Sequence, residues 1–173
     1  CISLLGLIRN ELGDTRGAFA ALNPPGGTRI SFGRRLYHAL LLPQIYADRE
    51  DLNRWRERYS GGLAAMHAGL ESAWPTRDEV FNLSQTNFLL AYQGEDDLLL
   101  QREYARLLRR LIARARPGLV EPNRPSAGRS GRIRVAFVSN LFRECTVGHY
   151  FGSWTGCLDP ARFESMVIYT GNQ

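Results

Sequence analysis

Between residues 4 and 22 apolar side chains recur at helical spacing, and the run is interrupted once, by Gly13-Asp14-Thr15. Gly can end one helix and Asp or Thr can cap the next, so the pattern predicts a helical hairpin. Asn23-Pro24-Pro25-Gly26-Gly27 breaks it, because two prolines remove backbone donors and two glycines add backbone freedom. A helix is expected over 29–42, ended by Pro43. Asp48 then offers an N-cap to a long amphipathic helix with Leu52, Trp55, Tyr59, Leu63, Met66 and Leu70 on one stripe, which reads as core. Gly61-Gly62 is expected to loosen its middle, and Trp74-Pro75 closes it.

The stretch 80–92 fits either a strand or a helical turn. Gly94-Glu95-Asp96-Asp97 opens a further helix, acidic at its start and rich in Arg at its end (Arg106, Arg109, Arg110, Arg114, Arg116), a polarity that complements the helix dipole. From 117 to 131 periodicity gives way to Pro, Gly, Ser, Arg and Asn, the composition of a linker. Beyond it, 133–139 (IRVAFVS) and 163–169 (FESMVIY) are β-rich runs flanking a predicted helix over 146–154. Strand, crossover helix and strand make a βαβ unit, the opening of a doubly wound α/β fold, with the first strand expected to be buried on both faces. The predicted organisation is a helical hairpin (1–28), a helical neck (29–116), a linker (117–130) and the start of an α/β domain (131–173).

Composition narrows the classes. The chain has 173 residues, of which 44% are hydrophobic and 23% charged, the make-up of an ordinary globular protein. No apolar run approaches the roughly 20 residues of a spanning helix, and residues 1–7 lack the basic region of a secretory signal, so a cytoplasmic setting is expected. The net charge is +5, and all 22 basic residues are Arg. Most lie beside acids at helical spacing, as in Arg49-Glu50-Asp51 and Arg54 to Arg58 around Glu57, which reads as a solvated helix face rather than a nucleic-acid surface. Cys1, Cys145 and Cys157 form no C-x-x-C pair and read as free thiols, and neither they nor His38, His67 and His149 make a metal ligand set. The chain starts at Cys1 and stops directly after a predicted strand. It is therefore expected to be a piece of a longer protein, since two strands do not make a stable doubly wound sheet.

The loop after the first strand carries the candidate chemistry. Ligands of open α/β sheets bind beyond the carboxyl ends of the strands, where the free N–H groups of the following helix favour anions. Ser139, Asn140 and Thr146 are candidates to hydrogen-bond a substrate there, although each also fits a simple turn or cap role. No G-x-G-x-x-G follows Ser139, which disfavours a nicotinamide enzyme.

Two blocks carry a family resemblance. One comprises Leu41-Leu42-Pro43-Gln44-Ile45-Tyr46, Trp55-Arg56-Glu57-Arg58-Tyr59 and the run from Thr86 to Asp97; the other comprises Arg132 to Ser139, then Leu141-Phe142-Arg143-Glu144-Cys145-Thr146-Val147-Gly148 and Phe163-Glu164. In order and spacing they resemble the neck and the start of the catalytic domain of bacterial SPINDLY-type proteins of the O-GlcNAc transferase family. Leu5, Gly6, Gly13, Ala18 and Leu22 are similarly spaced to one tetratricopeptide repeat.

The resemblance implies a GT-B catalytic domain of two Rossmann-like lobes, most donor contacts belonging to the second lobe. The implied reaction is metal-independent, inverting transfer of a sugar, typically GlcNAc from UDP-GlcNAc, to Ser or Thr of acceptor proteins held by helical repeats. No cofactor is implied, the sugar nucleotide being a substrate. Where the family carries a His before Thr-Val-Gly, this chain has Cys145, and a neutral thiol is a poor substitute for imidazole in proton transfer. His149, four residues on, is the candidate catalytic residue, on the same helix face if Cys145 begins the helix. Cys145 as a covalent nucleophile is disfavoured, because inversion needs none and no oriented base is visible. The competing expectation is a non-catalytic helical scaffold with a degenerate transferase domain.

Overall fold

The computed structural model describes residues 2–23, 30–83, 86–121 and 131–171. The 24–27 part of the Pro/Gly breaker, most of the predicted linker, and Cys1 lie outside the described residues. What is described is α/β and mostly helical, with a small sheet of two parallel strands. The chain divides into two compact units, Cys1–Pro122 and Asn123–Gln173.

The first unit opens with the predicted hairpin, α1 (Ile2–Glu11) and α2 (Thr15–Leu22). Gly13 takes φ +82°, and the Asp14 N–H bonds the Arg9 carbonyl (2.9 Å) while the Gly13 N–H bonds that of Asn10 (3.0 Å). This is a Schellman ending, which requires the left-handed backbone that glycine adopts freely. Asp14 then caps α2 by accepting from the Gly17 N–H at 2.8 Å. A side chain on Gly6 would meet Leu22 at 2.8 Å, so this glycine sets the closeness of the pair.

Helix α3 (Phe32–Leu40) is shorter than predicted. Leu41 is already extended (ψ 131°), and the residue before Pro43 is disfavoured in helix. The buried Asn10 holds this extended segment, donating to the Leu42 carbonyl at 3.0 Å and accepting from Thr15 Oγ1 at 3.1 Å. Helix α4 (Arg49–Gly69) is capped by Asp48 and buries Leu52, Tyr59 and Leu63 on the predicted stripe, with Leu70 just beyond its end; Trp55 and Met66 pack beside them.

Gly61-Gly62 does not loosen α4, which runs unbroken through both. A Cβ at Gly62 would collide with the Ala39 carbonyl, whereas one at Gly61 would meet nothing within 4 Å. Gly62 is where α3 crosses α4 closely.

The solvated Arg face is also corrected. Arg54 is exposed and pairs with Glu50 and Asp51, but Arg58 turns beneath the end of α3. Its Nη1 donates to the carbonyls of Leu41 (3.0 Å) and Ala39 (3.3 Å), and its Nη2 to that of His38. Its guanidinium lies 4.1 Å from the Phe19 ring centroid and 5.3 Å from that of Trp55. Burial lowers the Arg58 pKa to about 10, which leaves it a cation at neutral pH. Arg56 is likewise half-buried, bonding Asp97 (2.7 Å), Gln93 (2.5 Å) and the Asp96 carbonyl (2.9 Å). Gln93 in turn donates to Tyr46 Oη at 2.5 Å.

In the ambiguous 80–92 stretch, residues 80–81 end α5 (Arg77–Phe81) and Phe88–Tyr92 form a 3₁₀ turn. Thr76 and Glu79 form a capping box at α5, and Glu79 Oε1 also accepts from the Phe32 N–H at 2.9 Å, so one carboxylate serves the starts of two helices. Tyr59 Oη donates to Asn87 Oδ1 at 2.6 Å. Helix α6 (Leu98–Ala115) completes the unit with Tyr104, Leu107 and Leu111 in the core.

In the second unit β1 (Ile133–Ser139) and β2 (Phe163–Tyr169) run parallel in the register Ile133↔Phe163 to Ser139↔Tyr169. They are linked through α7 (Thr146–Gly152) and α8 (Trp154–Cys157), giving the predicted βαβ order. The expected burial of β1 on both faces is not found. Val135 and Phe137 are half-covered, but Ile133 and Val167 on their face are exposed, as are Val138 and Ile168 on the other. Two strands with short crossover helices have too few packed neighbours to bury either face.

Three outcomes are expected in thermal and urea unfolding of this chain. Arg58→Met destabilises it by about 2–4 kcal/mol, since it removes a charge-assisted donor from three carbonyls, and Arg58→Lys recovers only part of that. Gly62→Ala destabilises despite the better helix propensity of Ala, whereas Gly61→Ala stabilises by up to about 1 kcal/mol. The third concerns His38, whose pKa is lowered from 6.5 by burial and then by Arg58. Its imidazolium is therefore bound less well by the folded than by the unfolded chain. Its contribution is whole above pH 6.5 and lost as pH falls below it, and His38→Gln flattens that part of the profile.

Candidate functional site

The candidate site lies in the second unit, in the segment joining β1 to α7. Ser139 ends the strand, and its Oγ accepts from the Leu141 N–H at 3.0 Å while its carbonyl accepts from the Thr170 N–H at 3.3 Å. The turn then closes on itself. The Arg143 N–H bonds the Leu141 carbonyl (2.8 Å), the Cys145 N–H bonds the Arg143 carbonyl (2.7 Å), and the Cys145 thiol donates to the Leu141 carbonyl (3.2 Å). Short-range bonding of this kind satisfies backbone groups that neither strand nor helix can.

Cys145 is the N-cap of α7, in extended conformation (φ −157°, ψ 173°), and its side chain makes no capping bond. The His149 N–H donates to the Cys145 carbonyl at 3.0 Å, so the two residues stand one turn apart at the start of the helix. The His149 imidazole is exposed and lines a cleft of about 260 Å³ together with Phe142, Arg143, Glu144, Thr155 and Val167. Phe142 to Glu144 follow the carboxyl end of β1 and Val167 lies near that of β2, the position where open α/β sheets place ligands.

The four sequence candidates are thus not all gathered. His149 is in the cleft, but Ser139, Asn140 and Thr146 are not among its lining residues. Ser139 is engaged in the turn, while Asn140 and Thr146 are exposed beside it. Arg143, Glu144 and Thr155 were not assigned roles from the sequence. The signal for the first two was present, because a cation and a carboxylate side by side between a strand and its crossover helix fall where ligands bind. Thr155 Oγ1 donates to the Gly152 carbonyl at 2.7 Å, and nothing in its sequence neighbourhood marked it.

The cleft therefore offers an imidazole, a guanidinium, a carboxylate and an apolar wall. Among the described residues no group of three or more His, Cys, Asp and Glu side chains is placed to hold a metal ion, and no helix is long and apolar enough to cross a membrane. Cys145 and Cys157 are free thiols. In the first unit a cavity of about 180 Å³ lies between Leu7, Asn10, Tyr37, Leu42 and Phe88.

Comparison of the chain with protein-family models, with curated proteins and with solved structures gives no match; the reading of this cleft stands on its residues and their geometry.

Proposed function

We propose that the chain is part of a protein O-linked N-acetylglucosamine transferase that moves GlcNAc with inversion from UDP-GlcNAc to Ser or Thr of acceptor proteins. In this reading 1–28 ends a tetratricopeptide array that presents acceptors, and 131–173 begins the first Rossmann-like lobe of a GT-B domain. The sequence blocks described above suggest the family. The observation that carries the reading is the cleft at the carboxyl ends of two parallel strands, with His149 on its wall.

Inverting transfer needs the acceptor hydroxyl to attack the anomeric carbon as the bond to the diphosphate breaks. A group beside the hydroxyl takes its proton, and positive charge balances the departing nucleotide. His149 supplies a nitrogen lone pair for the proton, with Glu144 as the neighbouring carboxylate. Arg143 supplies a fixed cation.

A second reading has one observation in its favour. The thiol of Cys145, at the position where the family has His, is engaged with the Leu141 carbonyl and is a poor proton carrier. This suits a helical scaffold for protein partners with a degenerate transferase domain.

UDP-GlcNAc hydrolysis and peptide glycosylation by the full-length protein separate the two. Transfer by the wild type, reduced about 100-fold or more by His149→Ala, supports the first reading. Activity gained only with Cys145→His supports the scaffold. Undiminished transfer by His149→Ala would remove that residue from the mechanism.

A further inference from the structure

The wall of the His149 cleft depends on a residue with no side chain. A Cβ built on Gly148 would run into the Arg143 carbonyl oxygen, and would lie 3.0 and 3.1 Å from the carbonyl carbon and nitrogen of the same residue. All three atoms are backbone, so no rotamer change relieves the contact. Nor can the Arg143 carbonyl swing aside without cost, because it holds the Cys145 N–H at 2.7 Å, while the Arg143 N–H is tied to Leu141 at 2.8 Å.

We infer that Gly148 is a positioning residue, holding the Arg143–Glu144 wall of the cleft at the distance from His149 that the site requires. Gly148 lies inside α7 with no positive φ, so conformational freedom is not the reason for glycine there. By helix propensity alone Ala is the stronger choice. Gly156, in the neighbouring α8 and not among the residues lining the cleft, provides the internal control: a Cβ there meets nothing within 4 Å. The functional part of the inference rests on the reading of this cleft as the transfer site.

The test compares Gly148→Ala and Gly156→Ala in two measurements. In the 173-residue chain, amide hydrogen exchange at 141–145 is expected to quicken about tenfold or more in Gly148→Ala. The β1 and β2 amides keep wild-type protection, and Gly156→Ala exchanges like the wild type. In the full-length protein, Gly148→Ala is expected to lower peptide transfer about 100-fold, the scale of a misplaced reacting group. The loss falls in kcat rather than in the donor KM, and Gly156→Ala transfers normally.

Unchanged exchange at 141–145, equal effects of the two substitutions, or loss of protection in β1 and β2 as well would each overturn the inference. Altered exchange confined to 141–145, in a protein whose wild type transfers no sugar, would leave Gly148 as the residue that sets the wall and would refute the transferase reading instead.

Discussion

A guanidinium placed beneath the end of a helix is the interaction on which the helical unit depends. Helix α3 ends abruptly because Pro43 forces the chain ahead of it into extended conformation, and its last carbonyls are left without N–H partners. Arg58, projecting from α4, meets three of them. The same side chain lies against Phe19 of α2 and Trp55 of its own helix, so one residue ties three helices. Its desolvation is offset by charge-assisted hydrogen bonds and by aromatic faces, surroundings that suit a planar, weakly hydrated cation better than an ammonium. Arg34 repeats the device at smaller scale, donating to the Ala21 carbonyl near the end of α2. Around these caps the apolar stripe of α4 packs against α3 and α6, and Gly62 lets the Ala39 backbone approach.

The second unit meets the same demand differently. Between β1 and α7 the backbone leaves the sheet ladder before it enters the helix, and the Leu141 and Arg143 carbonyls are served by donors only a few residues away. The result is a tight turn that places Phe142, Arg143 and Glu144 opposite His149. Large apolar residues stay exposed on both faces of this two-stranded sheet, Ile133 and Val167 on one and Val138 and Ile168 on the other.

Periodicity made much of this legible in the sequence. The hairpin at Gly13, the Asp48 cap, the stripe from Leu52 to Leu70 and the βαβ order all follow from local patterns that tertiary packing did not override. The misreadings have a common physical origin. Arg56 and Arg58 sit among acids at helical spacing and look solvated, and only the fold brings α3 carbonyls, Gln93 and Asp97 to them. Gly62 looked like a weak point because its neighbour across the helix crossing, Ala39, is distant in sequence. At the site, His149 entered through the family resemblance and its helical spacing from Cys145, and it is among the residues lining the cleft. The Arg143 and Glu144 wall depends on backbone bonding within the turn, which residue types alone do not specify.

The transferase reading makes one geometric claim above all: the reacting centre lies in the His149 cleft. It is tested most directly by a crystal structure of the full-length protein with a non-transferable UDP-GlcNAc analogue and an acceptor peptide. The account predicts the acceptor hydroxyl within hydrogen-bond reach of the His149 imidazole, with the anomeric carbon beyond it and the peptide entering past Arg143 and Glu144. Donor and acceptor bound together elsewhere, with this cleft empty, would contradict it.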